Sequence, residues 1–137
     1  KAVVEFVKSR RPVLGICLGM QLLFEKGTEG GNTPGLGIIK GSVEKINAPK
    51  LPHVGWNSVE QKKKSRLFSG IQNNSYFYFV HSYACRPRKA ACIVGTTKFY
   101  GELTSVVEQG NIFGVQFHPE KSGEAGEKML KNFSKMA

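Results

Sequence analysis

The sequence predicts an α/β domain built on an open, mixed β-sheet with flanking helices. A short apolar run at 13–14 enters a glycine-flanked turn and then a helical segment at 18–26, the pattern of a strand–turn–helix unit. Short strand-like segments separated by turn residues occupy 36–117, and an amphipathic segment at 123–136 follows them. Because the strand of a strand–turn–helix unit normally has parallel neighbours, we expect both strand directions in one sheet.

The other elements follow from local patterns. Residues 1–8 carry apolar side chains at helical spacing, and the glycine-rich stretch 27–37 is predicted to be a loop. Strands are predicted at 36–39, 42–46, 53–59, 75–84, 91–97, 103–108 and 112–117. Ser122 is the expected N-cap of the last helix. With no internal repeat or linker, residues 1–137 are interpreted as a single domain.

Residues 15–19, Gly-Ile-Cys-Leu-Gly, are a cysteine version of the Gly-x-Ser-x-Gly nucleophile elbow. The sharp turn strains the central residue and aims its side chain outward, so Gly15 and Gly19 are expected to be small for steric reasons. The thiol of Cys17 would lie at the start of the predicted helix, where the dipole favours the thiolate. We therefore predict that Cys17 is a nucleophile. The alternative for any single cysteine is a buried, structural thiol.

A base for this thiol is predicted in 114–120, where an alternating strand ends in His118, Pro119 and Glu120. His118 can take the thiol proton and return it to a leaving amine, while the Glu120 carboxylate fixes the imidazole tautomer. Pro119 restricts the backbone between them. Alone, this segment would be an ordinary strand-end turn. Together with the elbow it indicates a Cys-His-Glu triad.

Four segments resemble the class I (triad) glutamine amidotransferases, and within them the glutaminases of histidine biosynthesis: 15–23, 51–57, 79–83 and 114–122. Many triad glutaminases share the first and last segments. Pro-His-Val-Gly-Trp-Asn at 52–57 and His-Ser-Tyr at 81–83 are what point to the histidine pathway. The resemblance implies the flavodoxin-like fold of this family. It also implies hydrolysis of L-glutamine to glutamate and ammonia, without a metal or an organic cofactor.

The resemblance further implies roles around the triad. The backbone N–H of Leu18 would hold the oxyanion, Gln21 would bind the substrate, and Glu29 would meet the substrate's α-amino group. By pattern alone, Gln21 is equally well explained as a half-exposed helix residue. Backbone groups of one further segment would hold the amino-acid end of the substrate, namely those of His81, Ser82 and Tyr83.

A partner is implied as well: a cyclase subunit with a (β/α)₈ barrel, which forms a heterodimer with the glutaminase and uses its ammonia to make imidazole glycerol phosphate. Trp56 and Asn57 lie in the family segment that contacts the cyclase, and Lys121 is expected to meet an acidic group there. By pattern alone, Trp56 would pack in the core and Lys121 would be solvated. The resemblance also leads us to expect an N-terminal part of the domain upstream of residue 1, including a glycine-rich loop with the second oxyanion donor.

Composition restricts the other possibilities. The chain has no apolar run long enough to span a membrane and no signal-peptide pattern, and its three cysteines form neither a disulfide framework nor a CxxC metal pair. We therefore expect a soluble cytoplasmic protein. A net charge of +10, with basic clusters at 62–66 and 86–89, leaves a nucleic-acid-binding module as an alternative, although neither cluster lies on a recognisable recognition motif. Further alternatives are a peptidase, a glutaminase serving another synthase, and an inactive glutaminase-like subunit.

Overall fold

The computed structural model describes residues 2–28 and 33–136. Within these ranges the chain forms three α-helices and ten β-strands. In chain order they are α1 Ala2–Lys8, β1 Val13–Ile16, α2 Leu18–Leu22, β2 Phe24–Gly27, β3 Thr33–Pro34, β4 Ile39–Lys45, β5 His53–Gln61, β6 Ser75–His81, β7 Tyr83–Pro87, β8 Ile93–Lys98, β9 Glu102–Gln109, β10 Ile112–Val115 and α3 Gly123–Ser134. Short 3-10 turns lie at Arg66–Phe68, Ala90–Cys92 and Pro119–Lys121.

The strands form a mixed, open sheet. Its main path runs β3-β2-β4-β7-β9-β8-β5-β6, and β1 joins it through β10, which pairs with β9. The β1–β10 and β2–β4 pairs are parallel, whereas the other pairs are antiparallel. The prediction of an open mixed sheet with flanking helices is therefore confirmed.

Alternation along β9 and β10 places apolar side chains on both faces of the sheet. Val106 and Phe113 belong to a buried cluster that includes Met129 of α3. Their neighbours Val107 and Ile112 belong to a second cluster, which includes Met20 of α2 and Phe24 of β2. The sheet beneath the elbow is thus covered on one face by α2 and on the other by α3.

Several predicted elements have different bounds in the structure. The helix predicted at 18–26 ends at Leu22, because the chain continues as β2, whose fully buried Phe24 pairs with Ile39 of β4. The strand predicted at 75–84 is divided at Ser82 into β6 and β7, which lie apart in the sheet. The strands predicted at 36–39 and 42–46 are replaced by the single strand β4. Each difference arises where pairing with a distant strand overrides a local preference.

Two adjacent glycines make room for α2 on the sheet. Gly15 of β1 lies opposite Gly114 of β10 in the parallel ladder. A Cβ on Gly15 would be 2.6 Å from the backbone oxygen of Gly19, and one on Gly114 would be 2.7 Å from Cγ of Met20. A Cβ on Gly19 would meet nothing within 4 Å. The expected need for a small residue is confirmed at Gly15 and is wrong at Gly19.

We expect Gly15→Ala to lower the free energy of unfolding by about 2 kcal/mol or more, because the added methyl group meets backbone atoms that cannot move without displacing the elbow. Gly19→Ala is the matched control. It adds the same methyl group in open space, where the higher helix propensity of alanine makes the change neutral or slightly stabilising. Urea denaturation of both variants measures the difference. Equal stabilities would contradict this account of the packing.

Candidate active site

Cys17 adopts a backbone conformation that is unfavourable for a residue with a Cβ. Its φ of 55° and ψ of −106° lie outside the regions that L-residues favour. The N–H of Cys17 donates to the carbonyl of Val115 in β10 at 2.8 Å, and the Cys17 carbonyl accepts from the N–H of Gln21 at 3.2 Å. The sheet on one side and the first turn of α2 on the other therefore hold the strained residue in place, as a nucleophile elbow requires.

The Cys17 thiol is half-buried between hydrogen-bonding groups. It lies 3.9 Å from the carbonyl oxygen of Val80, and Nε2 of Gln116 lies 3.8 Å from the sulfur. Burial raises the pKa of the Cys17 thiol; hydrogen bonds from the Leu18 N–H and the Gln116 amide offset part of this increase, and the charge of Glu120 adds to it. The N–H of Leu18 at the start of α2 thus favours the thiolate, as expected, but burial outweighs this contribution and the net pKa is raised. This thiol needs a base.

His118 and Glu120 form a close, hydrogen-bonded pair. Nδ1 of His118 lies 2.7 Å from Oε2 of Glu120. Burial alone would raise the pKa of Glu120, but the hydrogen bond from His118, the backbone N–H of Glu120 and the charges of His118 and Lys121 together lower it. An ionised Glu120 can accept a hydrogen bond from Nδ1, and a neutral ring with its hydrogen there has Nε2 available as a general base.

One edge of β6 holds the two segments that carry Cys17 and His118. β6 pairs with β5 along its other edge. On the free edge, the carbonyl of Tyr78 accepts the backbone N–H of His118 at 2.9 Å, and the carbonyl of Val80 lies next to the Cys17 sulfur. These carbonyls are two residues apart on one strand, a spacing of about 7 Å. The elbow and the His-Pro-Glu segment therefore meet at the same place.

Ser122 fixes the segment that carries His118. Its buried hydroxyl donates to the carbonyl of His118 and accepts from the backbone N–H of Tyr78 at 2.9 Å. Ser122 is the N-cap residue of α3, as predicted, but its hydroxyl makes no capping hydrogen bond to the helix. Gly126 of α3 packs against the same segment, since a Cβ there would lie 2.0 Å from the carbonyl oxygen of Pro119.

Gln116 joins two predicted site residues and was missed by the sequence analysis. Nε2 of Gln21 donates to the carbonyl of Tyr83 at 3.2 Å and to Oε1 of Gln116 at 3.3 Å. The other end of the Gln116 amide faces Cys17. The available signal was a glutamine in an otherwise apolar strand end, two residues before His118.

The side chain of His81 belongs to a buried hydrogen-bonded chain. Nδ1 of His81 lies 2.8 Å from the Tyr83 carbonyl, Nε2 of His81 lies 2.9 Å from Nδ1 of His53, and Nε2 of His53 lies 3.2 Å from Nδ2 of Asn57. A carbonyl can only accept and an amide nitrogen can only donate. We therefore assign both histidines as neutral with hydrogen on Nδ1, so that each bond has one donor and one acceptor.

Both histidines resist protonation. His53 is stacked between the rings of Phe79 and Phe99, with centroid distances of 4.8 and 4.1 Å. Burial and the charge of His81 lower the pKa of His53 to about 4. Burial also lowers the pKa of His81; its hydrogen bond to Tyr83 acts in the opposite direction, and the charge of His118 adds to the decrease.

The backbone of Ser82 and Tyr83 is already engaged within the protein. The carbonyls of Ser82 and Tyr83 already accept hydrogen bonds within the protein, Ser82 from the N–H of Ile46 at 2.9 Å. A cavity of about 140 Å³ lies beside this segment, lined in part by Leu18, Gln21 and Tyr83. Glu29 lies outside the described residues.

The residues predicted to meet a partner occupy different positions. Trp56 is 56% exposed and packs edge-on against Tyr78, so the core-packing alternative is wrong. Lys121 is exposed. Asn57 instead points into the protein, where Nδ2 also donates to the carbonyl of Lys98. Trp56 forms an apolar surface on this hairpin, the β5–β6 face, together with exposed Val54 and Tyr76 and half-buried Tyr78.

Other features of the described residues concern the alternative functions. The basic clusters take part in ion pairs: Lys62 with Glu60 and Glu102, and Arg88 with Glu25. No helix in residues 2–28 or 33–136 is long and apolar enough to cross a membrane. The same ranges contain no group of three or more His, Cys, Asp or Glu side chains that could hold a metal ion.

Comparison with known proteins agrees with this geometry. The family model "Glutamine amidotransferase class-I" matches residues 1–137. Imidazole glycerol phosphate synthase subunit HisH of Methanocaldococcus jannaschii is 54% identical over 97% of this chain and 68% of its own length. HisH 1 of Methanococcus maripaludis is 54% identical over 89% of the chain and 61% of its own length. HisH of Pyrococcus furiosus is 50% identical over 98% of the chain and 70% of its own length.

Two solved structures have the same fold. A putative GMP synthase protein from Thermoplasma acidophilum superimposes with a TM-score of 0.70 at 19% identity, covering 98% of this chain and 61% of that one. A glutamine amidotransferase from Thermotoga maritima gives a TM-score of 0.67 at 22% identity, covering 98% of this chain and 51% of that one. At these identities the likeness concerns the fold.

The neutral histidine pair makes stability depend on pH. Because the pKa of each histidine is lowered in the folded protein, the unfolded chain binds more protons once the pH falls below about 7, and folding stability decreases from there towards pH 4. We expect a slope of up to about 1.4 kcal/mol per pH unit for each histidine between pH 6 and 5. Urea denaturation at pH 7, 6 and 5 measures it.

His53→Phe is the control for this dependence. It keeps a ring between Phe79 and Phe99 but removes one titrating group, so its slope should be shallower. The interval stays above pH 5 because Glu25, Glu102 and Glu120 have lowered pKa values and titrate below it. A slope as steep as that of the unmodified protein would show that His53 is not kept neutral by folding.

Proposed function

The chain belongs to the class I glutamine amidotransferase family, and from this premise we propose that it is the glutaminase subunit of an imidazole glycerol phosphate synthase. It would hydrolyse L-glutamine to glutamate and ammonia. The observation that carries the proposal is the strained Cys17, held on the same edge of β6 as the His118–Glu120 pair. The named relatives at 50 and 54% identity support the choice of synthase.

In the first half of the reaction, His118 takes the proton of the Cys17 thiol at Nε2. The sulfur attacks the side-chain amide carbon of glutamine, forming a C–S bond while the carbonyl electrons move onto oxygen. The backbone N–H of Leu18 donates to this oxyanion. The oxyanion then collapses, the C–N bond breaks, and the nitrogen takes the proton from His118 and leaves as ammonia.

In the second half, His118 deprotonates a water molecule that attacks the thioester. The C–S bond breaks, glutamate leaves, and His118 returns the proton to the sulfur. Glu120 holds the imidazole by its Nδ1 hydrogen throughout and stabilises the imidazolium whenever it forms. Because burial raises the pKa of the Cys17 thiol, this base is needed to form the thiolate.

Gln21 would bind the substrate through its oxygen. Both hydrogens of its amide nitrogen are directed inward, one to the Tyr83 carbonyl and one to Gln116. Gln21 thus offers the substrate an acceptor rather than a donor. We assign the segment of His81, Ser82 and Tyr83 to the amino-acid end of glutamine, and Glu29 to its α-ammonium group.

The partner would be a cyclase subunit with a (β/α)₈ barrel that receives the ammonia. The β5–β6 face is our candidate for the contact, since an exposed tryptophan among apolar neighbours is typical of an interface rather than of a solvated surface. Lys121 would contribute a charge to the same partner. Asn57 would support the interface from beneath, because its amide is bonded inside the protein. The free thiols fit a cytoplasmic location.

The triad assignment is tested by substitution in the full-length protein with its cyclase. Cys17→Ala should reduce glutamine hydrolysis by at least about 10⁴-fold, and His118→Ala should be nearly as severe. Glu120→Gln should cost less, because it impairs only the orientation of the base. Synthesis from added ammonia is the control and should persist in all three variants. Glutamine-dependent activity retained by Cys17→Ala would exclude Cys17 as the nucleophile.

The partner surface is tested by affinity. Trp56→Ala should weaken binding to the cyclase by about 30-fold, the loss of roughly 2 kcal/mol that an interface tryptophan typically causes. Phe6→Ala, which truncates an exposed aromatic residue on α1, is the control and should leave the affinity unchanged. Isothermal titration calorimetry gives both values. An unchanged affinity for Trp56→Ala would remove the β5–β6 face as the contact.

A further inference from the structure

Gln116 is a buried polar side chain with both ends of its amide in use. Its side chain is 1% exposed, and its backbone N–H donates to the carbonyl of Ser105 at 2.9 Å. Oε1 accepts from Gln21 at 3.3 Å, and Nε2 lies 3.8 Å from the Cys17 sulfur. An amide buried between Val115 and Phe117 is costly unless it is fully hydrogen-bonded. Its two side-chain partners are both residues of the proposed active site.

The orientation of this amide follows from the groups around it. The Tyr83 carbonyl can only accept, so the end of the Gln21 amide that faces it is the nitrogen. The same nitrogen faces Gln116, which must therefore present its oxygen to Gln21. This leaves the Gln116 nitrogen, a donor, on the side of the Cys17 sulfur. A backbone carbonyl thus sets the direction of the whole chain of bonds.

We propose that Gln116 is a further active-site residue of this glutaminase: its amide N–H donates to the sulfur of Cys17, and its carbonyl positions Gln21 for the substrate. The inference rests on the proposed function. A donor aimed at sulfur is of little use to a neutral thiol, which is a weak acceptor, and of much more use to a thiolate. Gln116 therefore favours the reactive form of Cys17 and fixes the direction of its lone pairs.

The other titratable groups near the sulfur do not supply this hydrogen bond. Glu120 contributes a negative charge that opposes the thiolate, and buried Cys85 has a raised pKa and stays neutral. His118 removes the proton in the proposed mechanism. Two groups favour the charged sulfur, the Leu18 N–H and the Gln116 amide, and in the proposed mechanism the Leu18 N–H donates to the oxyanion once it forms. Gln116 can keep its contact with the sulfur throughout.

Two substitutions separate the two roles. Gln116→Glu keeps the size and the acceptor for Gln21 but removes the amide donor from the sulfur. Gln116→Met keeps the length and removes both contacts. Gln72→Glu, at an exposed position, is the control for the added charge. All are made in the full-length protein with its cyclase, and ammonia-dependent synthesis together with thermal melting verifies assembly and folding.

The first readout is the pH dependence of Cys17 alkylation by iodoacetamide, followed by mass spectrometry of the peptide that contains Cys17. Both Gln116 variants should move the midpoint to higher pH and slow alkylation at pH 7 by about tenfold, which a merely structural residue would not do. The second readout is steady-state glutamine hydrolysis. Both variants should lower kcat, and Gln116→Met should also raise KM, because Gln21 is released.

An alkylation profile identical to that of the unmodified protein in both folded variants would overturn the inference. So would a KM raised equally in both with the profile unchanged, since Gln116 would then act on the substrate alone. If Gln116→Met does not fold, Gln116→Leu takes its place, because the negative charge of Gln116→Glu would by itself raise the pKa of the thiol. Failure of the proposed function is distinguishable, because it would appear as glutamine hydrolysis retained by Cys17→Ala.

Discussion

The strained backbone of Cys17 is the constraint on which the rest of the structure depends. A residue with a Cβ does not keep φ 55° and ψ −106° unless its surroundings impose them. Here they are imposed by the parallel pairing of β1 with β10, extended by the hydrogen bond from Cys17 to Val115. Directly after Val115 come Gln116 and, two residues further, His118. The strand that holds Cys17 in its strained conformation therefore also leads directly to Gln116 and His118.

The backbone and the side chains of β6 make different contacts. Its backbone edge accepts hydrogen bonds from the two segments that carry Cys17 and His118, and its Tyr78 N–H binds the Ser122 hydroxyl. Its outward side chains Tyr76 and Tyr78 belong to the β5–β6 face, whereas its inward side chains Phe77 and Phe79 are fully buried. A protein bound to that face would thus contact the same strand that holds the segments of Cys17 and His118, with no intervening element.

The sequence allowed the triad to be predicted because each motif is local. The elbow is confined to 15–19, and His118 is two residues from Glu120. The contacts of Gln116 and Ser122 could not be predicted in the same way, because their partners are distant in the sequence. Gln116 contacts Cys17, 99 residues away, and Ser122 contacts Tyr78, 44 residues away. The length of α2 was overestimated for a similar reason, since only the pairing of Phe24 with Ile39 shows that the chain has left the helix. The residue type of Trp56 favours the core, but the face of the β5–β6 hairpin that carries Trp56 lies at the surface.

The chain of hydrogen bonds from Asn57 through His53 and His81 to Tyr83 has a further consequence. Two hydrogen-bonded imidazoles are a possible proton relay, but every donor in this chain points towards Tyr83. A proton transferred towards Tyr83 would have to be held by the backbone carbonyl of Tyr83, which is far too weak a base. Transfer in the opposite direction would have to start from the same carbonyl, which has no proton to donate. His53 and His81 therefore do not relay a proton. In the proposed mechanism, a proton taken up by His118 would therefore have no route of escape through His81 and His53.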